Sequence, residues 1–237
     1  MKGEMRALGL AHGLLLGLLL GALLIAPDLS PVLISALFFL GGFDLRLADR
    51  RRAPRGALSW VSHIRMAPLR LTRWAALASV ALIAGDSARV EEILSAALAS
   101  ELLIYPLSTH MLGKLSRPAI AALLIAAIAG FTPISGGIAA HALAFSTGIF
   151  ACLFWLRGPD GDPRALGLAT AGLGAAMMAP LLAPATLPLA WPAGLVCATL
   201  ALAHLSTLRR RPTPWRPDGD ARLWVRRPPW LRRPELS

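Results

Sequence analysis

The sequence predicts an all-α, polytopic integral membrane helix bundle. It has about eight transmembrane segments (six to eight) and both termini on the cytoplasmic side. Three observations carry this. The 237 residues are 56% hydrophobic and only 16% charged, with a mean hydropathy of +0.60, too apolar for a soluble domain of this length. The apolar residues form continuous runs without period-two alternation, and in lipid that selects helices over a barrel. The charge is segregated between the runs. If the N-terminus is inside and the chain crosses eight times, all but one of the 24 Lys and Arg residues fall on the inner side. That separation is the positive-inside pattern. Only Arg89 faces outward, in the company of Asp28, Asp86, Glu91 and Glu92. Arg70 and Arg73 are assigned here to the cytoplasmic end of the third span.

The bundle occupies residues 1–205. Its first run, 7–26, follows Lys2 and Arg6 and resembles a signal peptide. Its length of about 20 residues suits a span better than a signal h-region. The run also ends "LLIAPDLS", without an A-x-A site, so it is expected to be retained. Gly9, Gly13, Gly17 and Gly21 recur every four residues along it. They form one small-residue stripe, expected to be a helix-packing seam.

The runs 29–43, 70–85 and 118–134 are short for a straight crossing, and the sequence leaves open whether they cross fully. Between the first two lies the cytoplasmic loop 44–69, containing "GALSWVSHIRMA". Trp60, Val61, Ile64 and Ala67 share one face of it. That predicts a short amphipathic helix lying on the inner surface and ended by Pro68.

The run 91–112 holds the sequence's main anomaly. Glu101 lies about ten residues past the outer end, about 15 Å deep at 1.5 Å per residue. An ionised carboxylate at that depth is costly unless paired. Ala97, Glu101, Tyr105, Ser108 and Leu112 align on one face, and no basic residue is assigned to that depth. The expectation is a protonated Glu101 in a polar pocket with Tyr105 and Ser108. Pro106 should free the carbonyl of Leu102 and kink the helix. At the inner end, His110, Lys114 and Arg117 are candidate contacts for an anionic head group.

The run 137–156 carries His141, the candidate partner of Glu101 in depth, and a second small-residue stripe of Ala140, Ala144 and Gly148. The run 165–183 repeats the theme with Gly167, Ala171 and Ala175, and 187–205 completes the bundle. The tail, 206–237, is rich in Pro and Arg with Trp215, Trp224 and Trp230 interleaved. It is expected to be disordered and to bind anionic lipid at the cytoplasmic face, with no nucleic acid.

Catalytic signatures are scarce. Cys152 and Cys197 lie inside apolar runs, far from any CxxC spacing, and neither metal nor cofactor is expected. "KLSRP" and "PISGGIAAH" faintly resemble the first two motifs of the type-2 phosphatidic acid phosphatases. Lys114 stands only three residues before Arg117, Gly137 takes the place of the second motif's histidine, and the third motif is missing. The expected topology also separates the two stretches across the bilayer.

Three function classes fit these observations. The first is a small transporter or lipid-handling protein of a bacterial inner membrane, with a substrate or proton path through Glu101, Tyr105, Ser108 and His141. The second is a non-catalytic subunit or assembly factor of a membrane complex, joined to a partner protein or to its own copies. The third is an intramembrane enzyme acting on a phospholipid or polyprenyl phosphate.

Overall fold

The computed structural model describes residues 2–25, 27–49, 56–112, 115–131, 137–159 and 162–208. The predicted lipid-binding tail beyond residue 208 and Lys114 lie outside them. The order is α1 (Lys2–Ile25), α2 (Ser30–Ala48), α3 (Gly56–Ile83), α4 (Ser87–Leu98), a π-helical segment (Ala99–Ile104), α5 (Tyr105–Leu112), α6 (Arg117–Ala129), α7 (Gly137–Leu156), α8 (Pro163–Leu182) and α9 (Leu187–Leu208). Among the described residues every regular element is helical. Among the described residues, five helical stretches are long and apolar enough to cross a membrane: Ser30–Ala48, His63–Ile83, Gly137–Leu156, Pro163–Leu182 and Pro184–Thr207. Their length and composition are compatible with a helical membrane protein.

Two of the short runs prove longer than their apolar stretches. Residues 29–43 extend into α2, which takes in Asp44 and Arg46. Residues 70–85 belong to a 28-residue α3 that begins at Gly56. The amphipathic segment does not end at Pro68. It continues through that proline into the apolar half, so His63 and Arg70 stand on one uninterrupted helix. The third short run stays short, with α6 ending at Ala129.

The helix ends follow local chemistry. After α3, Gly85 adopts φ +80°, the left-handed conformation that favours glycine. The Gly85 N–H donates to Leu82 O and the Asp86 N–H to Ala81 O. Asp86 then caps α4 by accepting the Arg89 N–H at 3.0 Å. This turn sets α4 antiparallel to α3 and brings their facing sides together.

The core sits where α2 crosses α7, the most extensive helix contact in the molecule. Phe38, Phe39 and Phe43 of α2 and Phe145, Ile149 and Cys152 of α7 are fully buried there. Small residues permit the approach. A Cβ on Gly42 would collide with the Phe145 carbonyl, and one on Gly148 with the Phe39 carbonyl. The Ala140, Ala144 and Gly148 stripe therefore lies in a real backbone-to-backbone contact. The α1 stripe behaves differently. A Cβ on Gly9, Gly13, Gly17 or Gly21 would meet no described heavy atom within 4 Å. At the other side of the bundle, α8 packs chiefly on α9, and Ala169 is its one buried residue.

Candidate functional site: a buried carboxylate held by two arginines

Pro106 shapes the site. Lacking an N–H, it cannot continue the α-helical ladder. The chain answers with a π-helical turn over Ala99–Ile104, and the Tyr105 N–H donates to Ser100 O. This shift changes which carbonyl is orphaned. The donor due to Glu101 O in α register, Tyr105, is engaged elsewhere, and the donor due in π register is Pro106. The Glu101 carbonyl is thus left without a backbone donor. His63 Nε2 on α3 lies 2.9 Å from that carbonyl and 2.8 Å from Arg70 Nη2. Protonated, Nε2 donates to Glu101 O; bare, it accepts from Arg70, and one nitrogen cannot do both at once. Single-turn π segments recur at functional sites because they re-aim side chains in this way.

The Glu101 side chain is fully buried and makes contacts the sequence reading did not assign. Its Oε2 accepts from Arg70 Nε at 2.9 Å, and its Oε1 accepts from Arg73 Nη2 at 2.7 Å. A third donor, Trp74 Nε1, stands 3.3 Å from Oε1. The predicted protonated carboxyl with no cation at its depth is therefore replaced by an ion-paired carboxylate. Arg70 and Arg73 are not anchors at a helix end. They turn inward, together with His63 and Trp74. A carboxylate with three donors and two cations has its lone pairs satisfied, which is what burial of the charge requires.

The two arginines are used differently. Arg70 is 19% exposed. Besides Glu101 it donates from Nη2 to His63 O at 2.7 Å, which staples it to its own helix. Arg73 is 37% exposed. Its only described hydrogen bond is to Glu101, and its guanidinium lies 4.9 Å from the Trp74 ring centroid.

Neither of the aligned neighbours joins Glu101. The Tyr105 hydroxyl reaches the other way, donating to Asp49 Oδ2 at 2.5 Å, and its ring stacks on His63. Ser108 returns its hydroxyl to Tyr105 O. His141 is also held apart. Its Nδ1 pairs with Ser35 Oγ at 2.9 Å, and its Nε2 lies 3.0 Å from Glu92 Oε1, out of hydrogen-bond alignment. Phe38 separates it from the Glu101 cluster, stacked on His141 at 5.1 Å and on Trp74 at 4.0 Å. A continuous proton path through Glu101, Tyr105, Ser108 and His141 does not form in this geometry. Of the head-group candidates, Arg117 covers the Phe154 ring at 4.6 Å. The side chain of His110 lies outside the description, as does Lys114.

Beside the cluster, α1, α2 and α3 enclose an open cavity of about 290 Å³. Gly13 and Leu16 form one wall, Leu37 a second, and Arg73, Trp74, Ala76, Leu77 and Val80 the third. The lining is apolar except where Arg73 enters it. The cavity is at the small end of ligand pockets, which run from roughly 300 to 1,000 Å³.

The sequence did carry a signal for this site. His63, Arg70 and Trp74 recur on the face of α3 that also bears the buried Ala67, Leu77, Ala78 and Ala81. Polar residues in register with a buried apolar stripe mark an internal face. Comparison with family models, with curated proteins and with solved structures finds no match for the chain.

Proposed function

We propose that this is a lipid-handling protein of a bacterial inner membrane, with both termini cytoplasmic and an even number of crossings. Its ligand is an amphiphile whose apolar chain occupies the groove between α1, α2 and α3. One observation carries the reading: the apolar cavity ends on Arg73, a cation already paired to the buried Glu101. A hydrocarbon wall that meets a fixed charge suits a molecule with a chain and a head, and suits a fully polar solute or a bare proton poorly. The charge asymmetry between the connecting segments supports the orientation. The basic tail supports a second contact, with anionic lipid at the cytoplasmic surface.

Photo-crosslinking with a diazirine-bearing fatty-acyl probe in native membranes tests the groove. Labelling should concentrate at Leu77 and Val80 over exposed α8 positions such as Leu168 and Leu181, and Gly13→Phe should suppress it. Equal labelling on the two surfaces would remove the groove as a binding site.

A second reading, as a subunit of a membrane assembly, draws on the α1 stripe. Four aligned glycines without a described neighbour within 4 Å leave room for a helix from another chain.

A further inference from the structure

We propose that Arg73 is the head-group residue of this groove. It is shared between Glu101 and the anionic head of a single-chain amphiphile, while Arg70 stays on Glu101. The proposal rests on the groove reading and adds the chemistry of the ligand. The first support is charge. Two guanidinium groups face one carboxylate, so the Glu101 cluster carries one surplus positive charge. Asp49, whose Oδ2 accepts from the Tyr105 hydroxyl, makes no described hydrogen bond or ion pair to either arginine. In a low-dielectric surrounding, uncompensated charge is costly, and an anion at the open side would relieve it.

The second support is geometry. Arg73 uses Nη2 on Glu101, and among the described residues no acceptor takes its Nε or Nη1. It is the arginine with more exposure and the one that lines the cavity. A phosphate or carboxylate oxygen there gains a charge-assisted hydrogen bond, and the planar fork allows two. Trp74 flanks the guanidinium and limits its swing. The third support is size: a cavity of about 290 Å³ suits one acyl chain better than two. Arg70, bound to Glu101 and to its own helix, can hold the carboxylate while Arg73 turns partly to the ligand.

This arrangement makes the signs of two substitutions differ. Arg73→Gln removes the donor, so anion binding falls. Glu101→Gln removes the internal competitor and releases Arg73, so anion binding rises. A merely structural role for either residue would move both variants in the same direction.

The test uses the full chain in phosphatidylcholine nanodiscs, with empty discs subtracted. The probes are dodecyl phosphate, dodecanoate, dodecylphosphocholine and inorganic phosphate. The wild type should bind dodecyl phosphate or dodecanoate about tenfold more tightly than dodecylphosphocholine, as one charge-assisted hydrogen bond warrants. The two anionic probes tell a phosphate head from a carboxylate. Arg73→Gln should abolish that preference while dodecylphosphocholine binding persists, and Arg73→Lys should restore part of it. Glu101→Gln should enlarge it several-fold. Equal binding of anionic and zwitterionic heads by the wild type would overturn the proposal and leave the groove standing. So would weaker anion binding by Glu101→Gln. Inorganic phosphate binding as tightly as dodecyl phosphate would overturn the single-chain ligand. No binding of any dodecyl probe would overturn both the proposal and the groove.

Discussion

The α2–α7 crossing and the α3–α4 seam lie side by side and solve burial in opposite ways. At the crossing, Gly42 and Gly148 bring two backbones into contact and phenylalanines close the gaps. His141 is held there among Ser35, Phe38 and Glu92. At the seam, α3 presents His63, Arg70, Arg73 and Trp74 to a π turn, and a carboxylate is buried under more positive charge than it can neutralise. The crossing is closed in shape. The seam is unbalanced in charge and opens on a cavity. A rigid, saturated element next to an unsaturated one is the arrangement a binding site needs. The first fixes where the second can move.

The largest stability effect should come from the crossing. Gly148→Leu puts a side chain into the Phe39 carbonyl, where backbone, not a flexible side chain, must give way. Overpacking of this kind costs about 1–3 kcal/mol or more. The thermal melting point in detergent should drop sharply and the yield of monodisperse protein should collapse. An unchanged melting point would mean that the two helices do not touch there.

Next in size is Glu101→Leu. It leaves Arg70 and Arg73 without a counter-charge beside a buried leucine. Breaking a fully buried pair costs about 3–5 kcal/mol, and the partial exposure of both arginines reduces this to about 2 kcal/mol. Glu101→Gln should cost less, because the amide oxygen still accepts. A melting point that is the same for Leu and Gln would show that the arginines turn away to water and that the seam is not a built site.

Much of this was legible in the sequence, and the failures have definite causes. Composition and the continuous apolar runs predict the all-helical class that the described residues show. Glu101 stood out because a carboxylate is rare in such a run. The small-residue period located the α7 half of the crossing at Gly148. The partners of Glu101 were missed because α3 was divided at Pro68. Division placed His63 on a surface loop and Arg70 and Arg73 at a helix end. Pro68 is tolerated inside α3, and local propensity gave no warning of that. The wheel through Glu101, Tyr105 and Ser108 assumed 3.6 residues per turn. The π turn over Ala99–Ile104 breaks that period between Glu101 and Tyr105. The glycine spacing in α1 marks a small-residue face, but spacing carries no information about what lies opposite.

A smaller effect is expected at His63. His63→Ala removes the ring nitrogen that stands within hydrogen-bond reach of both the Glu101 carbonyl and Arg70. An unsatisfied acceptor at this part-buried contact should cost about 1 kcal/mol, the low end of the buried range. Pro106→Ala restores a backbone donor, so the double variant should recover part of the loss. Melting points of the four proteins in this cycle measure the coupling. Simple additivity would mean that His63 serves Arg70 alone.

The smallest effect should come from the substitution that is the largest at the crossing, moved to α1. Gly13→Leu and Gly148→Leu add the same four carbons to a membrane helix. At Gly148 they strike a carbonyl. At Gly13 a Cβ meets nothing within 4 Å, and Gly13 lines the cavity. The added side chain should therefore enter open space beside Leu77 and Trp74. The melting point of the isolated protein should be unchanged or slightly raised, since a filled cavity gains dispersion contacts. Occupancy of the groove by a fatty-acyl probe should fall instead. The two readouts separate the uses of a glycine: at Gly148 it admits another helix of this chain, and at Gly13 it leaves the cavity open. A Gly13→Leu protein that loses thermal stability together with an oligomeric state would reverse this assignment. The α1 stripe would then be an intermolecular seam, filled by a second chain, and the protein would belong with the membrane assemblies.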